Sequence, residues 1–257
     1  MLDDLDFHTA KALLDWQIEL GADEALLDAP VNRFEVTDSA PKSAPPVTAA
    51  VPSEAALVPE VDPVDAARQM AAAADSIEAL RAAMEAYPHC DLKMSAKQLV
   101  FADGVPGARV MIVGEAPGRE EDLQGKPFVG PAGQLLDKML AAINLDRTKN
   151  VYITNMLPWR PPQNADPTQT QLDMMRPFVE RHIVLAGPDV LVLMGNAACQ
   201  GLLGRRGIMR MRGQWEEVLG RPALPMFHPA FLLRQPIMKR EAWADLLALQ
   251  ARLKGQP

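Results

Sequence analysis

Cysteine is almost absent. Cys90 and Cys199 are the only two in 257 residues, and they lie far apart. This excludes a disulfide framework and points to a reducing compartment. No apolar run approaches the roughly 20 residues that a membrane helix needs, so no membrane association is expected. The first residues, MLDDLDFHTAK, are acidic, whereas a secretory leader starts with basic residues; the expected location is the cytoplasm. There is no internal repeat. The dinucleotide-binding glycine pattern is missing, as are the lysine and hydroxyl of a P-loop. No metal-ligand spacing occurs, so no metal is expected.

The net charge of −7 is unevenly distributed. Residues 1–85 hold 17 acids and 5 bases, a balance of −12, and residues 86–257 hold 16 acids and 21 bases, a balance of +5. An acidic front on a mildly basic body fits either a polyanion partner or a solvated tail. Charge alone does not choose between them.

Organisation follows composition. Residues 8–28 read as a helix, with Leu13, Leu14, Ile18 and Leu20 near one face and Gly21 as a stop. Residues 39–63 are rich in Pro, Ala and Ser and read as an extended linker. The expected division is therefore an acidic helical segment over 1–38, the linker over 39–63 and a compact domain over 64–257. Residues 64–86 are alanine-rich, with Met70, Ile77, Leu80 and Met84 at helical spacing. Short apolar strands are then predicted at 109–113, 150–154, 189–194 and 224–227, with helices over 134–143, 169–185, 196–203 and 239–253. Residues 215–219 read as an extra strand or hairpin arm. Alternation of this kind predicts parallel βαβ units covered on both faces. In such sheets ligands bind beyond the carboxyl ends of the strands.

Three segments lie at such ends. GEAPGREEDLQGKPFVG (114–130) carries Glu115, Glu120, Glu121 and Asp122, the wrong sign for a polyphosphate. Its glycines instead let the backbone approach a neutral planar ligand. Phe128 follows, and an exposed aromatic there would stack on a base; taken alone it reads as core. Asn155, in ITNMLPWRPPQN, offers donor and acceptor on one plane, which suits a pyrimidine edge; alone it reads as a turn residue. In MFHPAFLLRQP (226–236), His228 is the one histidine of four at a predicted strand end. Leu232, Leu233 and Arg234 form an apolar wedge with a cation, a device that distorts duplex DNA; a buried helix start is the competing reading.

GEAPG, the Phe128 loop, the strand-end Asn155 and HPAFLLRQP occur in order. This constellation resembles the uracil-DNA glycosylase superfamily, most closely the family 4 enzymes of bacteria and archaea, over roughly residues 85–253. GKPFVGPAGQLLD and VYITN match the intervening blocks. The resemblance implies a three-layer α/β/α fold with a central four-stranded parallel sheet, behind an N-terminal helical extension. It implies a DNA-repair hydrolase that flips uracil out of DNA and cleaves its N-glycosidic bond, leaving an abasic site. Glu115 and Ala116 would line the pocket, Glu121 would lie at the base C5 edge and exclude thymine, Phe128 would stack on uracil, Asn155 would pair with its O4/N3 edge, and His228 would donate to O2. Glu115 is the nearest carboxylate for activating water. Leu232, Leu233 and Arg234 would fill the vacated duplex.

One departure stands out. Family 4 enzymes usually hold a [4Fe–4S] cluster on four cysteines. Here Cys90 matches one ligand position, while Tyr87, Trp159 and Met175 stand at the other three, so no cluster is expected. The tract Arg205–Arg212 holds Arg205, Arg206, Arg210 and Arg212; it reads as a phosphate-contacting loop or as a solvated face. The leading expectation is an active, monomeric glycosylase acting on uracil-containing DNA. The alternative is a catalytically weak protein of the same fold that binds DNA or abasic sites, and a nucleotide-processing enzyme is a third reading. A protein partner is one role for the N-terminal segment.

Overall fold

The computed structural model describes residues 62–255. The helix expected at 8–28 and the linker up to residue 61 lie outside the described residues. The last two residues assigned to the linker belong to the folded domain. Asp62 caps the first helix by accepting from the Val64 N–H at 2.7 Å, and Pro63 is its first residue. Proline suits that position, since its missing N–H would have no helical partner there.

The single helix expected over 64–86 is two helices, α1 (Pro63–Ala73) and α2 (Ile77–Ala86). Ser76 explains the break. Its hydroxyl caps α2 by accepting from the Ala79 N–H at 3.1 Å, and Arg181 donates to the Ala74 carbonyl at 2.8 Å. Local capping overrides alanine's helix preference. The remaining elements follow as α3 (Leu92–Ser95), β1 (Asp103–Gly104), β2 (Val110–Gly114), α4 (Arg119–Gln124), α5 (Pro131–Ala141), β3 (Val151–Asn155), α6 (Gln169–Ala186), β4 (Val190–Met194), α7 (Asn196–Leu203), α8 (Ile208–Met211), β5 (Glu216–Val218), β6 (Arg221–Met226), α9 (Pro229–Arg234) and α10 (Lys239–Leu253).

The sheet order is β1-β3-β2-β4-β6-β5. The four expected parallel strands form its centre. The count of four is corrected: β1 and β5 add antiparallel edges, making a mixed sheet of six, and β5 is the extra strand read at residues 215–219. The two-residue β1 carries no hydrophobic signature. It forms because Gly104, at φ 98°, approaches β3 where a Cβ would lie 2.2 Å from the Val151 carbonyl oxygen.

Side chains alternate across the strands with period two. Met111, Val113, Tyr152, Leu191 and Leu193 pack with α1, α2, α6 and α7. Val110, Ile112, Val151, Ile153, Val190, Val192, Leu224 and Met226 pack with α5 and α10. Both faces are covered, which is why the strands read as unbroken apolar runs. Chain order runs outward from β2 to β3, then crosses back to β4. This reversal opens a crevice at the carboxyl ends of the strands, where Gly114 stands level with Asn155. No described helix is long and apolar enough to cross a membrane.

His182 of α6 is 1 % exposed, meets the Tyr152 hydroxyl at 2.9 Å and stacks on Phe101. Burial pushes its imidazole down to about 3, whereas an unfolded histidine titrates near ~6.5. Between those values the unfolded chain binds the extra proton, so stability falls as pH drops below ~6.5. Thermal melts between pH 7 and 4 should show a progressive loss in Tm, and His182→Phe should make the slope shallower.

Candidate active site

The strand-end residues meet because one of them has no side chain. A Cβ on Gly114 would lie 2.3 Å from Asn155 Oδ1 and 2.5 Å from the Phe128 ring. Glycine at the end of β2 therefore lets both groups close over the backbone. The chain then turns through Glu115–Gly118, with the Met156 and Leu157 N–H groups donating at 3.0 Å to the Gly114 and Glu115 carbonyls.

Glu121 ties this turn to the next loop. One carboxylate oxygen accepts from the Gly118 N–H at 3.1 Å; the other accepts from Val129 and Gly130 N–H at 2.9 Å each. Only 8 % of the residue is exposed. Its carboxylate is a backbone fastener at the cavity wall. Phe128, 5 % exposed, has φ 54°, a left-handed conformation that costs a non-glycine residue about 1–3 kcal/mol. Its ring stacks on His228, with centroids 5.3 Å apart and planes 29° apart. Gly133 in α5 makes room for this turn, since a Cβ there would lie 1.8 Å from the Phe128 carbonyl oxygen.

Asn155 is 3 % exposed, and its Oδ1 is buried without any hydrogen-bond partner. An orphaned acceptor of this kind costs about 1–3 kcal/mol. His228 caps α9: its Nδ1 accepts from the Ala230 N–H at 3.2 Å, which leaves Nε2 to carry the proton of the neutral ring. Burial, aided by Arg234, lowers its pKa to about 4, so the ring is uncharged at neutral pH. Glu115 titrates above the usual carboxylate range, chiefly through burial and then through Asp166, opposed by Arg206 and Arg234.

These groups line one cavity of about 370 Å³. Glu115, Ala116, Glu121, Phe128, Asn155, His228 and Arg234 were all singled out in the sequence. Asn164 and Asp166 were not, although they also face it. The Pro161–Asp166 loop enters through left-handed residues Gln163 and Asn164 (φ 53° and 55°), with Asn164 held by Arg160 at 2.8 Å. The RPPQN string signals a turn but not its direction. A larger groove of about 880 Å³ lies between α1 and α6 and includes none of the strand-end residues.

Two expectations for the outer residues are corrected. Leu232 is no exposed wedge: it is 1 % exposed and belongs to the core under α5 and α10. The six-residue helix α9 turns it inward, and Leu233, 44 % exposed, takes the outer position together with Ile237 at 81 %. Arg212 is no free cation either. Its Nε donates to Asp245 at 2.9 Å, Nη1 pairs with Glu241 at 2.9 Å, Nη2 reaches the Glu241 carbonyl and the other Asp245 oxygen, and the guanidinium lies over Phe227. Arg205 pairs with Glu216 at 2.7 Å. Among the described residues, Arg206, Arg210 and Arg234 form no ion pair.

The positions corresponding to iron–sulfur ligands are filled otherwise. Tyr87 is fully buried, donates its hydroxyl to the Pro63 carbonyl at 2.7 Å and meets Phe178 edge-on at 5.3 Å. Trp159 and Met175 are buried in the same apolar cluster as Tyr87 and Cys90. Lys93 joins two of the positions, donating to the Tyr87 carbonyl and lying over the Trp159 ring. Cluster ligation needs thiolates. The one thiol here is pushed toward its protonated form, mainly by burial. These residues do not fit the group, and no set of three or more metal-ligating side chains occurs among the described residues.

Fold and cavity define an α/β domain with a cavity beyond the carboxyl ends of its parallel strands. The sequence model of the uracil DNA glycosylase superfamily matches residues 101–247. A type-4 uracil-DNA glycosylase of Archaeoglobus fulgidus is 39% identical over 165 residues, covering 61% of this chain and 82% of that protein. Namesakes from Sulfurisphaera tokodaii and Thermotoga maritima are 33% and 37% identical, covering 65% and 56% of this chain and 80% and 77% of their own. The chain belongs to the uracil-DNA glycosylase superfamily, in its type-4 branch.

Arg212 and the arginines without ion pairs separate by experiment. Arg212→Ala leaves Asp245 buried and unpaired, which typically costs about 3–5 kcal/mol. A denaturation midpoint well below wild type is expected, whereas Arg206→Ala and Arg210→Ala should leave it within about 0.5 kcal/mol.

Proposed function

We propose that the protein removes uracil from DNA by hydrolysing the N-glycosidic bond, within the cytoplasm and as a single chain. The observation that carries this reading is the buried, partnerless Asn155 Oδ1 beside the Phe128 ring and the neutral His228. Uracil offers what this set lacks. Its N3–H would donate to Asn155 Oδ1, its O4 would accept from the Asn155 amide, and its ring would stack on Phe128.

The target bond is shielded inside a helix, so the nucleotide must first be extruded, at least cost where pairing is already weak. As the N1–C1′ bond breaks, negative charge collects on uracil O2 and positive charge on the sugar. The Nε2–H of His228 would donate to O2 as that charge develops. One preorganised donor of this kind contributes about 2.7–4 kcal/mol to the transition state. Glu115 would take a proton from the water that attacks C1′, a role helped by its raised pKa. Arg206, Arg210 and Arg234 would contact phosphates, with Leu233 occupying the vacated stack. Glu121 would act at the base C5 edge through the backbone it fixes. We further propose that no iron–sulfur cluster is bound, that Tyr87, Trp159 and Met175 fill its space, and that residues 1–38 serve a protein partner.

The direct test is a uracil-containing oligonucleotide incubated with the protein and cleaved with alkali. Strand scission is expected for wild type; binding without scission would favour the DNA-binding alternative. Asn155→Ala and His228→Ala should each lower kcat about 10²–10³-fold. Glu115→Ala activity close to wild type would remove Glu115 from the mechanism. Because His228 is neutral down to about 4, activity should show no inflection near ~6.5, the ordinary histidine value.

DNA affinity should fall with salt, and Arg206→Ala should reduce the slope of log K against log[salt] by about 0.7–0.9. Iron analysis and absorbance near ~400 nm on anaerobically purified protein should show no cluster; stoichiometric iron would overturn that proposal.

A further inference from the structure

The Phe128 loop is held from outside the cavity by a residue that does not line it. Arg147 lies in the turn between α5 and β3, and its side chain is 12 % exposed. Nη2 donates to the Phe128 carbonyl at 2.7 Å and Nη1 to the Pro127 carbonyl at 3.1 Å. Two carboxylates orient the guanidinium: Asp103 of β1 meets Nη1 at 3.2 Å, and Asp137 of α5 meets Nε at 2.8 Å. Both backbone contacts are charge-assisted, the stronger class of hydrogen bond.

We infer that Arg147 is the positioning residue that keeps Phe128 in its left-handed conformation and so presents its ring to the base. The inference rests on the uracil-pocket reading above. Four consecutive residues divide between two charged groups. Glu121 receives the N–H groups of Val129 and Gly130, and Arg147 serves the carbonyls of Pro127 and Phe128. Glu121 fixes the peptide after Phe128 through the Val129 N–H, which shares a plane with the Phe128 carbonyl, but it does not hold the peptide before it. The strained φ of Phe128 turns between those two units. Arg147 supplies the missing constraint: Nη1 holds the Pro127 carbonyl of the preceding peptide while Nη2 holds the Phe128 carbonyl. Flanked by the polar residues Asp146 and Thr148, it looks like an ordinary surface arginine in the sequence. Only the fold brings it under the loop.

The test is a double-mutant cycle with Arg147→Ala, Phe128→Ala and the double variant. It reads kcat and KM on a single-uracil oligonucleotide, and inhibition by free uracil. Arg147→Ala should lower kcat/KM about 10–100-fold, as a misplaced contact does, and weaken inhibition by free uracil. If Arg147 acts through Phe128, the double variant should match Phe128→Ala within about twofold, because the two effects are not independent. Multiplicative losses, or an Arg147→Ala variant that binds uracil like wild type, would overturn the inference. Arg147→Lys keeps the charge and stem but cannot bridge two carbonyls; it should show an intermediate loss at near-wild-type Tm. It carries the same cycle should the alanine variant fail to fold. A wild type that neither releases nor binds uracil overturns the pocket reading and this inference together, whereas an active wild type with multiplicative losses overturns Arg147 alone.

Discussion

A buried carboxylate with three backbone donors is the constraint on which this site depends. The turn that leaves β2 and the Phe128 loop that links α4 to α5 are separate segments. Glu121 joins them by accepting from Gly118 on one side and from Val129 and Gly130 on the other. Removing an ion from water is costly unless its lone pairs are occupied, and here the three N–H groups occupy them. The knot can form only where side chains are small. A Cβ on Gly118 would lie 2.8 Å from the Glu121 carboxylate, and one on Gly114 would meet both Asn155 and Phe128. The two glycines and the glutamate are one device, and each needs the others.

Beside the Phe128 ring the cavity offers the neutral groups of Asn155 and His228, while its Glu121 carboxylate is tied to backbone N–H groups. Asn155 carries no charge, and His228 is held neutral by burial and by the nearby Arg234 cation. At Glu115 the charge of Asp166 is opposed by those of Arg206 and Arg234. A neutral pair of this kind can meet a leaving group that becomes anionic only in the transition state, since a fixed donor dipole needs no rearrangement when the charge appears.

Much of this was legible in the sequence, for identifiable reasons. The parallel strands are buried on both faces and so appear as unbroken apolar runs; Val110–Val113 and Val190–Met194 are plain examples. Strand ends are the places where sequence position fixes spatial position, and Asn155 and His228 therefore fell into place. Residues on short helices did not. In α9 a few tens of degrees of rotation decide which leucine faces water, and neither periodicity nor composition of a six-residue helix specifies it; Leu232 went inward and Leu233 outward. The basic tract misled in a related way. Four arginines in eight residues look equivalent, yet Arg212 is consumed by Asp245 and Glu241, which approach from α10. Edge strand β1 and the grip of Arg147 on residues 127 and 128 arise from long-range contacts that leave no local trace.

The solitary oxygen of Asn155 has a consequence for discrimination between bases. If the pocket takes uracil as proposed, a pyrimidine that presents a hydrogen at ring position three would relieve the cost of that unpartnered oxygen. Cytosine presents a lone pair there instead, so two electron-rich atoms would face one another with water excluded, and the burden would grow rather than vanish. On the proposed reading, rejection of an ordinary DNA base would rest on one buried oxygen that has no hydrogen-bond partner.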